Sequence, residues 1–218
     1  MIIDETRMIL FIHIPKSAGD SIRDVLCNYG NNGKHFLGKH ATYRMAEEVL
    51  GEQIGFYKTF SVIRNPYDRL LSFYHHLRKP LHLSRTQLQT DYPSFNGKLL
   101  PEWACDIAMQ RSFPDFIKEI YSEEHRESPQ RRWFADSLEW LINADGRLAT
   151  TTILRFENLR NEFADFCCSH AINGSLPWLG ESNSPKTVLG YRQWYDPEST
   201  EIVSTVFAAC LEQYGYTF

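Results

Sequence analysis

Two stretches bring together residue types able to hold anions. In "HIPKSAGDS", Lys16 supplies a mobile cation, Ser17 and Ser21 supply hydroxyls, and Ala18 and Gly19 let a ligand approach the backbone closely. In "VIRNPYDRLLSFY", Arg64 offers a rigid fork suited to bidentate phosphate binding, and Ser72 adds a hydroxyl two helical turns past Asn65. Neither stretch has the GxxxxGK[ST] spelling, so a nucleoside triphosphate with magnesium is not what they announce. Each residue has a plainer role available. Lys16 can be incidental to a turn, Arg64 can pair with a carboxylate such as Asp68, and Ser72 can bond to its own helix. Two such loops in one chain point to a ligand with two separate anionic groups.

The elements that must position these residues can be read from the hydrophobic pattern. Met8 to Ile14 is a nearly continuous apolar run, as in a strand covered on both faces. A helix is predicted from about Asp20, with Ile22, Val25 and Leu26 inward, ended by the Asn/Gly stretch Asn28 to Gly33. A second helix is expected over Thr42 to Leu50, then a strand over Thr59 to Ile63 that delivers Arg64. Asn65 as N-cap and Pro66 at the first helical position mark the next helix start. Residues 79–150 read as a possible acceptor-binding insertion with helices, among them Phe113 to Tyr121 and Gln130 to Ile142. A strand over Thr151 to Leu154, a helix near Asn158 to Cys168 and an amphipathic helix over Pro197 to Tyr214 complete the pattern. Strands alternating with helices predict an α/β fold: one P-loop-like domain over 1–218 with an open, mostly parallel central sheet flanked by helices. Both anion-competent loops then leave the carboxyl ends of strands, where open α/β sheets bind ligands.

Composition narrows the classes. A net charge of −4 over 218 residues lacks the basic excess of a nucleic-acid binder, so no nucleic-acid partner is expected. The five cysteines are odd in number, include an adjacent pair and form no CxxC, which indicates neither a disulfide framework nor a zinc site. Met8 to Ile14 is too short to span a membrane and reads as a core strand. A soluble, cytoplasmic protein with reduced thiols, no membrane span and no metal is the expectation.

"HIPKSAGDS" followed by "VIRNPYDRLLSFY" resembles the two signature loops of sulfotransferases, in particular the branch that modifies carbohydrates. Three later segments, "ILRFENL", "ESNSPKTVLGYRQWYDPES" and "CLEQYGYTF", resemble family segments in the same order. The resemblance implies 3′-phosphoadenosine-5′-phosphosulfate (PAPS) as co-substrate. Lys16 would meet the phosphosulfate bridge, with Ser17, Ala18, Gly19, Asp20 and Ser21 in the loop around it. Arg64 and Ser72 would hold the 3′-phosphate, and Ser184 and Lys186 of the late loop would reach the nucleotide. Two positions depart from the family pattern: Ser17 stands where threonine is usual, and Asp20 where a neutral residue is usual. A carboxylate facing phosphate would repel it, so Asp20 is expected to turn outward or to cap the helix.

A hydroxyl acceptor needs a proton acceptor, and histidine is the natural one near neutral pH. Of eight histidines, His13 falls inside a predicted core strand. His75 and His76 are adjacent on a helix, and His82, His125 and His170 lie in remote stretches. His35 and His40 remain, both between the two anion loops. "GKHATYRMAEE" resembles the family segment in which a histidine before a helix acts as base, which selects His40 over the plain alternative of an exposed loop histidine. Trp103, Arg111, Gln130, Arg131, Arg132 and Trp133 are candidates for an acceptor pocket, although tryptophans at helical spacing also serve as core. The implied activity is sulfuryl transfer from PAPS to a carbohydrate or glycoconjugate hydroxyl. The competing readings are a non-catalytic module that senses PAPS or its product, and a divergent small-molecule kinase.

Overall fold

A computed structural model describes residues 1–78, 102–177 and 190–218. Its backbone groups into two compact units: Met1–Arg64 with Ser137–Gly180, and Asn65–Asp136 with Glu181–Phe218.

The first unit holds a single five-stranded sheet, formed by β1 (Ile2–Asp4), β2 (Ile9–Ile12), β3 (Lys34–His35), β4 (Lys58–Ile63) and β5 (Thr152–Arg155) in the order β3-β1-β2-β4-β5. β2, β4 and β5 run parallel, with Ile12 beside Ser61 and Ser61 beside Ile153. β1 pairs antiparallel with both β2 and β3. The sheet is therefore open as expected, but only half of its pairings are parallel. The reason is a tight turn that the apolar pattern did not reveal. Asp4 Oδ1 accepts from the Thr6 and Arg7 amides, both at 3.0 Å, and Met8 takes a positive φ of 52°. Strands joined by so short a turn can only pair antiparallel.

One face of the sheet, carrying Ile9, Phe11, Phe60, Val62 and Leu154, packs against α1 (Gly19–Cys27) and a later helix, Leu159–Ser169. Leu10, Ile12 and Ile63 point to the opposite face and are also fully buried, as the unbroken apolar run requires. Between β3 and β4, α2 (Tyr43–Leu50) begins at Thr42, whose side chain accepts from the Met45 amide. It buries Tyr43 and Ala46 but leaves Met45 and Val49 exposed. The Glu47 carboxylate accepts from the Ala144 amide at 2.8 Å and so fixes the helix to the 143–144 turn.

The described residues of the second unit are helical. α3 (Pro66–Leu77) starts as the sequence indicates, with Asn65 accepting from the Tyr67 amide at 3.0 Å and Pro66 in the first turn. α4 (Glu102–Gln110) and α5 (Phe113–Ile120) follow it in the chain; α6 is the sheet-covering helix Leu159–Ser169 already described, and α7 (Pro197–Val206) and α8 (Ala208–Tyr214) complete the second unit. Its core joins Leu70, Phe73, Phe113, Phe116, Phe134 and Phe207. The helix expected over Gln130 to Ile142 is instead two 3₁₀ turns, Pro129–Phe134 and Ser137–Trp140. Tertiary bonds take over the groups between the turns: Arg69 donates to the Ala135 carbonyl, and the buried Asp136 accepts from the Cys210 amide. The last predicted helix is also divided, at the buried Phe207.

Candidate functional site

β2 and β4 are parallel neighbours, so the loops that leave them emerge side by side. The first of these loops is strained. Lys16 and Ala18 both adopt left-handed backbone, with φ of 66° and 58°, each costing on the order of 1–3 kcal/mol for a residue with a Cβ. Ala18 is the N-cap of α1, and its carbonyl takes the Ser21 and Ile22 amides. The amides of Gly19 and Asp20 then have no partner within the helix, which leaves the positive end of α1 suited to an anion. The Ser17 hydroxyl is buried and has no hydrogen-bond partner among the described residues. Ser21 is buried on the first turn. A strained loop, a helix start and an orphaned hydroxyl fit an oxyanion ligand such as a phosphosulfate.

Arg64 follows β4 directly. Its Nη1 donates to the Lys16 carbonyl at 3.1 Å, tying the second loop to the first, and its guanidinium lies 4.1 Å from the centre of the Phe156 ring. The stacked ring fixes the plane of the fork. Phe156 belongs to the "ILRFENL" segment just past β5. Ser72 lies in the second unit, buried on α3. Ser184 and Lys186 fall outside the described residues, as does His82.

His40 stands in the first unit, two residues before the Thr42 cap. Its Nδ1 donates to the His13 carbonyl at 2.9 Å. A carbonyl only accepts, so the neutral ring carries its proton on Nδ1 and presents Nε2 as the basic nitrogen. The ring lies 4.4 Å from the His13 ring and meets Trp140 edge-on at 6.3 Å. Burial pushes its pKa down to about 3, against the bond to His13; Lys39 lowers it further and Asp20 raises it. His35, by contrast, is an exposed residue of β3.

His13 is buried inside the sheet end, and burial, with His40 and Lys39 beside it, holds its pKa well below the ordinary imidazole value. Its ring fills the space over Gly19: a Cβ added there would come within 1.9 Å of the imidazole. That contact, not a special φ, is what demands glycine at this place. Asp20 turns outward with over half of its side chain exposed, and makes no capping bond. Its Oδ1 pairs with Lys39 Nζ at 2.8 Å and more loosely with Arg23 at 3.6 Å. Burial opposes ionisation of this carboxyl, but Lys39 and Arg23 outweigh it and hold the pKa below the usual carboxylate value.

The residues suggested for an acceptor pocket lie in the second unit. Trp133 is buried in its core and meets Phe73 edge-on, while Trp103 stacks on His125 at 4.2 Å. Arg111 pairs with Glu119 at 3.0 Å, and Arg131 lies over the Tyr121 ring. Both tryptophans thus do packing work. Sequence reasoning did not single out Lys39 or Phe156. The signal for Lys39 was its place directly before His40, and for Phe156 an aromatic one residue past a strand end.

No curated protein and no solved structure matches the chain. The model of the sulfotransferase family matches residues 1–172, which include both strained and capped loops, His40 and Phe156. That span is most of the 218 residues, and the chain belongs to the sulfotransferase family.

Proposed function

We propose that the chain, acting as one catalytic domain over 1–218, transfers a sulfuryl group from PAPS to a hydroxyl of a carbohydrate or glycoconjugate, with His40 as general base. The observation that carries this reading is the bond from His40 Nδ1 to the His13 carbonyl, which leaves Nε2 as the proton acceptor in the unit that holds the anion loop. Nε2 is unprotonated at neutral pH because burial holds the ring's pKa down to about 3, and for the same reason it is a weaker base than an ordinary imidazole. It takes the proton of the acceptor hydroxyl as the hydroxyl oxygen bonds to sulfur and the bond from sulfur to the 5′-phosphate oxygen breaks. Negative charge grows on that phosphate, and the Lys16 ammonium and the α1 amides stabilise it. Ser17 and Ser21 supply hydroxyl donors. Arg64 is assigned to the 3′-phosphate for its stacked fork; Ser72, Ser184 and Lys186 join it on the family resemblance.

A cytoplasmic setting belongs to the same reading: all five cysteines are free thiols, which suits a reducing compartment. No helix among the described residues is long and apolar enough to cross a membrane.

The test is transfer of radiolabelled sulfate from PAPS to a panel of glycans. His40→Ala should lower turnover by about a hundredfold or more, the range for a positioned acid–base group. Its affinity for 3′,5′-bisphosphoadenosine should stay unchanged, and His35→Ala should retain wild-type rates. Full turnover in the His40 variant would remove the base from this scheme.

A further inference from the structure

Asp20 occupies a place where a negative charge works against anion binding, yet its carboxylate is committed elsewhere. It bonds Lys39 Nζ at 2.8 Å across 19 residues of chain, and the Lys39 side chain is only 15% exposed. Lys39 is also held through its backbone, where its carbonyl accepts from the Met1 amino group at 2.7 Å. The next residue is His40, whose ring bonds back to His13. The Ala41 amide closes a turn on the Gly38 carbonyl, and α2 starts immediately after it. The segment carrying His40 is thereby pinned on two sides: to His13 just past the end of β2, and to the first turn of α1 through Asp20.

We propose that Asp20 is a positioning residue, whose ion pair with Lys39 clamps the His40 segment onto the first turn of α1 and so holds the His40 ring in its half-buried, Nδ1-protonated state. The assignment of a catalytic purpose to this clamp rests on the reading of His40 as base; the clamp itself does not. A half-exposed ion pair contributes little to global stability, so its effect is to be read locally, at the ring.

The charges around that ring make the test one of sign. His40 faces the His13 ring, the Lys39 ammonium, the Met1 amino group and the Asp20 carboxylate. Removing the Asp20 charge alone withdraws support from the imidazolium and lowers the His40 pKa. Releasing the segment does the opposite, because a ring that regains water moves back toward 6.5. The experiment is ring-nitrogen NMR of the ¹⁵N-labelled full chain, titrated through the acid range, for wild type, Asp20→Asn and Asp20→Glu. In wild type the His40 ring should stay neutral at about pH 5 with its proton on Nδ1. Asp20→Asn should shift its titration upward by about one unit or more and blur the tautomer preference. Asp20→Glu, which keeps a carboxylate within reach of Lys39, should retain the wild-type behaviour. A ring in Asp20→Asn that titrates at or below the wild-type position would overturn the proposal, as would an equal upward shift in Asp20→Glu. The ring readout needs no acceptor. An inactive role for His40 in the transfer assay and a failed clamp are therefore separate outcomes.

Discussion

At the scale of single residues, the proposed chemistry depends on how the fold sets the protonation of His40. An unfolded chain has an ordinary imidazole near about 6.5, whereas burial in the folded unit brings His40 down to about 3. Below the unfolded value the unfolded chain binds more protons than the folded one, so the stability held by the neutral ring is complete above about pH 6.5 and is lost as the pH falls through the folded value. His40→Gln has no ring to protonate. Its melting temperature should drop less than that of wild type between about pH 7.5 and pH 5, where only the unfolded imidazole takes up a proton. Equal acid sensitivity of the two proteins would show that the His40 ring is not held neutral. A histidine just before a helix was visible in the sequence as a candidate. Its tautomer and its burial were not, because they are set by the His13 carbonyl and by Trp140, both distant in the chain.

At the scale of elements, the features of the candidate anion site gather on β2, its strained loop and α1. Two left-handed residues, an orphaned serine and a glycine pressed on a histidine ring all lie within this one connection. Gly19→Ala would place a methyl against the buried His13 ring, whose centre also lies 4.4 Å from that of the His40 ring. Overpacking of this kind costs about 1–3 kcal/mol, and should appear as a lower urea midpoint with the slope unchanged. A wild-type midpoint would mean that the His13 ring moves aside freely. Local signals were reliable for elements whose ends are set by adjacent residues, such as α3 with its Asn65–Pro66 start. They misread Gln130 to Ile142, where bonds donated by Arg69 and by the Cys210 amide claim the Ala135 backbone and the Asp136 side chain. They also missed β1, a three-residue strand with no room to show a period.

At the scale of the molecule, a ligand that binds only the folded protein adds to its stability by mass action. 3′,5′-Bisphosphoadenosine at a hundred times its dissociation constant should add about 2.7 kcal/mol, seen as a raised melting temperature. AMP, which lacks the 3′-phosphate, should raise it less, and ATP with magnesium should not match it. Arg64→Lys keeps the charge but loses the fork stacked on Phe156, and should erase most of the advantage over AMP. Equal stabilisation by AMP would show that Arg64 does not read a 3′-phosphate.

What the sequence determined by itself is what neighbouring residues decide: the buried strand runs, the caps at Thr42 and Asn65, the small and cationic residues of the two loops, and through them the family. Their chemistry follows from residue type and short spacing, which no tertiary contact alters. The tertiary structure alone decided that Arg64 reaches back 48 residues to the Lys16 carbonyl and that His40 reaches back 27 to His13. It also decided that Asp20 spends its charge on Lys39, and that an antiparallel hairpin borders the parallel strands. These outcomes depend on which distant groups the sheet register brings within bonding distance, and on which rings the core keeps from water. Both are properties of the packed whole, and neither is written in any one stretch of the chain.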